Sequence, residues 1–119
     1  MSIKIGGDTL ALDADIRRQI ESEAQKLEDR FTDERIETQA TIQEEFDRLH
    51  GHRVRCELCI KLAQGRQVVV RDASKSANEA IAGVFGAARR SVRRVRWQGV
   101  LERAPATQSG DRAAEIASH

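Results

Sequence analysis

Aromatic residues are scarce in this chain, with no tyrosine, three phenylalanines and the single Trp97 in 119 residues. The core must therefore be mostly aliphatic and modest in size. No apolar run approaches the ~18 residues of a membrane span, so no membrane partner is expected. The opening MSIKIGGD has neither the charged head nor the apolar stretch of a secretory signal. Two cysteines without an export signal point to free thiols in a reducing cytoplasm, not to a disulfide framework. The one proline lies after Glu102, in RAPATQSGDRAAEIASH, where no apolar period survives. Residues 102–119 are expected to be a disordered tail, and residues 1–101 a single domain.

Charge is plentiful but unevenly placed. The formal net charge is only +1 and the pI about 7.9, which excludes a polycation that coats nucleic acid indiscriminately. From Asp8 to Glu37 there are ten acids against five bases, whereas Ala80 to Leu101 carries five arginines and no acid. A nearly neutral total thus hides a dipolar molecule whose long-range attraction is confined to one face.

The apolar spacing supplies the elements. Ser2 to Ile5 alternates as a short strand and Gly6-Gly7-Asp8 should break it, with Leu10 and Leu12 leading toward the core. Asp13 is a good N-cap for a helix whose stripe is Ile16, Ile20, Ala24, Leu27 and Phe31. Ile36, Thr38, Ala40, Ile42 and Phe46 then alternate with polar residues as a strand with one wet, acidic face. A turn through Gly51 leads to a second long strand at Val54, Cys56, Leu58, Ile60 and Leu62, and Ala63 to Arg66 turns into a third at Val68 and Val70. Ser74 or Ser76 can cap the last helix, Ser76 to Trp97, with Ile81, Val84, Phe85, Ala88, Val92 and Val95 facing a core. The order predicts an α+β fold: a two-layer β-α-β-β-β-α sandwich, four strands with two helices on one face.

Across the outer arc of that last helix fan Arg89, Arg90, Arg93, Arg94 and Arg96, with no acid between Glu79 and Glu102. Arginine pairs phosphates in a planar fork and stacks on flat rings, so a phosphate backbone is the first partner to consider; a plainly solvated charged face is the alternative. Gly83 and Gly86 inside the helix each cost roughly 1 kcal/mol relative to alanine, which implies close approach of another surface, either packed backbone or incoming RNA. Trp97 lies on the arginine side, placed either to stack on a base or to shield the helix end.

Other constellations fail on geometry. His50, His52, Cys56 and Cys59 have the spelling of a zinc site, but residues three apart on a strand point to opposite faces and cannot converge on a metal. Glu44, Glu45 and Asp47 suit a solvated turn, with nothing nearby to perturb a pKa. Gly83-Val84-Phe85-Gly86 matches a G-x-x-G spelling, yet Val84 and Phe85 belong to the apolar stripe and not to an exposed loop. No catalytic set, metal, cofactor or small-molecule substrate is expected, and the chain does not read as an enzyme.

With these elements placed, the chain resembles the ribosome hibernation-promoting factors, the family that includes ribosome-associated inhibitor A. The resemblance covers about residues 1–100. It rests on Asp13 to Phe31, with Arg17 and the Lys26-Leu27-Glu28…Phe31 ending, and on Ser76-x-x-x-Ala80-Ile81 followed by Gly83 and a basic second half. It implies a stress- and stationary-phase translation inhibitor that binds small-subunit rRNA where mRNA and tRNA would lie. The basic positions carried over are Arg17, Lys26, Arg90, Arg94 and Arg96; Arg89 and Arg93 join them from the helical arc. Asn78, Ala87 and Val95 depart from the family pattern, where an aromatic, a basic and a polar or basic residue are usual. The chain reads as too short for the extra C-terminal domain of long members, so if ribosomes pair, a second hibernation factor is expected to help. Two other readings of the residues stay open: a protein-interaction module docking an acidic partner on the arginine arc, and a generic double-stranded-RNA binder.

Overall fold

The computed structural model describes residues 2–103. Of the tail expected at 102–119, residues 104–119 lie outside the described residues, while Glu102 and Arg103 belong to the last helix. In chain order the elements are strand β1 (Ser2–Gly7), a 3-10 turn (Thr9–Leu12), helix α1 (Ala14–Arg30), strands β2 (Glu37–Asp47) and β3 (Gly51–Lys61), a second 3-10 turn (Ala63–Gly65), strand β4 (Gln67–Ser74) and helix α2 (Ala77–Arg103). The sheet runs β1-β2-β3-β4, with β1 parallel to β2 and the rest antiparallel. This is the expected α+β architecture with a mixed sheet.

Local chemistry sets the boundaries. The Asp13 carboxylate accepts from the backbone N–H of Asp15 and Ile16 and so caps α1. The Ser76 hydroxyl accepts from Glu79 N at 3.3 Å and starts α2. Between β2 and β3 the Asp47 side chain accepts from the N–H of Leu49 and His50, closing a tight turn.

Four expectations shift. The first strand does not stop at its glycines: Gly7 pairs with Ile42, at φ +134°, and a Cβ there would lie 1.9 Å from the Ile42 carbonyl oxygen. Only glycine lets the strand finish that close. In the following turn Ala11 enters the core while Leu12 is exposed, because the 3-10 turn rotates Leu12 outward. Phe46 is exposed rather than core-facing, lying one residue from the end of β2 at the tip of the hairpin. Helix α2 also runs past Trp97 to Arg103.

One face of the sheet is dry. Ala40 and Ile42 of β2, Val54, Cys56, Leu58 and Ile60 of β3 and Val68 of β4 are buried with Ile20, Ala24 and Leu27 of α1 and with Ile81, Val84, Phe85, Ala88 and Val92 of α2. Burying a side chain of this size contributes about 1.5–3 kcal/mol, so the two stripes dictate how both helices lie. The opposite face is wet and threaded with cross-strand ion pairs, Arg55–Glu45 at 3.0 Å and Arg71–Glu57 at 3.2 Å. Of the acids expected on the wet face of β2, Glu45 is answered by Arg55 of β3. Cys56 and Cys59 point to opposite faces, and both are free thiols. No metal-binding cluster occurs among the described residues, nor is any described helix long and apolar enough to cross a membrane.

Candidate nucleic-acid interface

Helix α2 is locked to the sheet on one side, and that side fixes where its arginines go. Ala80, Ile81, Val84, Phe85, Ala88 and Val92 have essentially no exposure. At 100° per residue, Arg90, Arg93 and Arg94 fall on the opposite arc, and all three are exposed. None of them has an ion-pair or hydrogen-bond partner among the described residues. Three guanidiniums within five residues therefore stand in solvent without a counter-ion among the described residues.

The flanking cations are engaged. Arg89 and Arg96 lie on the side of α2 that faces α1, where Glu23 takes both Arg89 (3.6 Å) and Lys26 (3.1 Å). Arg96 pairs with Asp33 and, at 3.3 Å, with Glu34, and its guanidinium lies 5.3 Å above the centre of the Phe31 ring. Glu34 does more than neutralise. Its carboxylate also accepts from Ala63 N at 3.1 Å and approaches Arg66 at 3.5 Å, tying the α1–β2 connection, the β3–β4 turn and α2 together. Arg17 donates to the Ala11 carbonyl at 2.8 Å, at the far end of α1. Nine residues of helix separate it from Lys26, about 13 Å along the axis.

Of the seven cations expected to act together, the fold joins Lys26 to Arg89 through Glu23 and groups Arg90, Arg93 and Arg94 on the outward arc. It sets Arg96 in an acidic pocket and Arg17 against the first turn. Neither the counter-ions nor Arg35 and Arg66, which sit near Arg96, are legible in the sequence. Their only signal is tertiary: Arg96 and Asp33 are 63 residues apart.

The two glycines of α2 resolve differently. A Cβ on Gly83 would fall 1.9 Å from a carboxylate oxygen of Asp72, so a side chain there would have to displace that carboxylate on β4. A Cβ on Gly86 would meet nothing closer than the tips of Arg90 and Arg89, at 3.7 and 3.8 Å. Gly86 therefore leaves bare helix backbone beside Arg90 and Arg89. Beyond it, Asp33, Glu34, Arg35, Ala63, Gln64, Arg66, Arg93, Arg96 and Trp97 line an open groove of ≈ 580 Å³.

The helix-over-sheet fold with an arginine-rich outer face is that of a small two-layer α+β protein, and the family follows from comparison with known proteins. The family described as sigma 54 modulation protein / S30EA ribosomal protein matches residues 3–98, and the chain belongs to it. This is the ribosome hibernation and modulation family that the sequence resembles, a family of ribosome-associated factors and not of known enzymes. Among solved structures, the N-terminal domain of Protein Y from Thermus thermophilus is similar at 23% identity and a TM-score of 0.62, over 80% of this chain and 99% of that one. A ribosomal subunit interface protein from Coxiella burnetii is similar at 11% identity and the same TM-score, over 81% and 98%. At these identities the likeness is one of fold. Comparison with curated proteins finds no match.

Proposed function

We propose that the protein is a non-enzymatic translation inhibitor that binds rRNA of the small ribosomal subunit, in the channel used by mRNA and tRNA, and silences ribosomes in the cytoplasm under stress or in stationary phase. The observation that carries this reading is the trio Arg90, Arg93 and Arg94, exposed on one arc of α2 without a counter-ion among the described residues. A cation already paired must give up its partner to take a phosphate; these three need give up only water and mobile ions. They make the principal phosphate contacts. Lys26 and Arg89 flank them, sharing Glu23, while Arg96 and Arg17 contribute less because each guanidinium is already engaged. Residues 1–101 act as the ribosome-binding unit. Membership of a ribosome-associated family agrees with this.

Sedimentation tests it. In a sucrose gradient of stationary-phase extract the protein should co-migrate with small subunits or whole ribosomes, and nuclease treatment should move it to the top fractions. A signal confined to the top throughout contradicts the reading. Retention on an acidic protein after nuclease treatment would favour the protein-docking alternative instead.

A further inference from the structure

Trp97 is the one large aromatic side chain on the arginine side of α2, and 61% of its surface is exposed. A single exposed apolar residue means little by itself. Its surroundings are what make it informative. Gly86, Arg90, Arg93 and Trp97 follow at intervals of four, three and four residues and so lie along one line of the helix. Trp97 and Arg93 also form one wall of the open groove, whose other side carries Asp33 and Glu34. Those carboxylates already hold Arg96 and Arg66, so a phosphate reaching for either guanidinium there would have to compete with them. A flat, uncharged ring can pack beside these pairs without displacing either partner.

We infer that Trp97 stacks an unpaired nucleobase at the mouth of this groove, with Arg93 and Arg90 holding the adjoining phosphates. The protein then reads single-stranded RNA, not duplex, at this end of α2. A base stacked on an aromatic ring is gripped by its π-face whatever its identity, whereas a base within a duplex has both faces occupied. This inference rests on the rRNA-binding reading and narrows it to one structural class of RNA.

Trp97 is the chain's only tryptophan, so its intrinsic fluorescence reports on this site alone. The full chain is titrated with an oligouridylate of about 12 nucleotides and with an RNA duplex of equal length, in parallel with filter binding. The single strand should quench the fluorescence and the duplex should not. Trp97→Ala should weaken single-strand binding by about 5- to 150-fold, Trp97→Phe should retain most of it, and neither should move duplex binding. Circular dichroism verifies that both variants fold. Salt-sensitive binding with unquenched fluorescence and an indifferent Trp97→Ala variant overturns the stacking site and leaves the rRNA reading standing. Absence of binding to RNA and to small subunits at low salt overturns both, and quenching by an acidic peptide but not by RNA overturns the inference in favour of a protein partner.

Discussion

Cys56 and Cys59 stand three residues apart on β3 and have opposite fates. Cys56 is fully buried, and burial, with a smaller contribution from Asp72, pushes its thiol up to about 12. Cys59 lies on the wet face of the sheet, partly exposed. A thiol-reactive dye at neutral pH should label one cysteine in the native protein and two in denaturant; rapid native labelling of both would contradict the packing of β3 against α2. Because the folded thiol holds its proton more tightly than an unfolded one, its contribution to stability is complete below about pH 9 and is lost progressively toward pH 12. This opposition was readable from strand alternation alone. The arginines were only half readable. Helical angles place all five of α2 on the side away from the core, yet Arg89 and Arg96 are quenched by Glu23, Asp33 and Glu34, acids brought in by the packing of α1 and the connection that follows it. No local period encodes such a pairing.

Within α2, two glycines one turn apart make opposite demands. Gly83→Ala should destabilise the protein by about 1–3 kcal/mol, since its Cβ must displace Asp72. Gly86→Ala should instead stabilise it, by up to about 1 kcal/mol, as its Cβ enters open space beside two flexible arginine tips. Thermal unfolding of the two variants decides the point: shifts of opposite sign are expected, and a loss of stability in both would contradict the position of α2 on the sheet. The sequence signalled that something approaches these glycines but not which surface approaches which. Periodicity did locate both helices and every strand, because each apolar stripe buries against a single layer. It misjudged Leu12 and Phe46, where a 3-10 turn and a hairpin tip carry the chain out of register with the core.

The whole molecule joins a dry interface, which both stripes of apolar residues dictate, to an electrostatic face left over when packing has consumed the nearer charges. Its net charge of +1 gives no hint of that face. The fold arranges the acids so that Arg90, Arg93 and Arg94 alone among the cations of the α2 arc have no partner among the described residues. If these residues hold rRNA, they release counter-ions on binding, and log K against log salt falls by about 0.9 per duplex phosphate neutralised, or about 0.7 per single-strand phosphate. The most direct measurement is the affinity for isolated small subunits across a salt series, for the native chain, for Arg90→Ala with Arg94→Ala, and for Arg96→Ala. The double variant should flatten the slope by about 1.4–1.8, while Arg96→Ala, removing a cation already paired, should change it far less. Binding that ignores salt, or a slope indifferent to the loss of Arg90 and Arg94, would contradict the account.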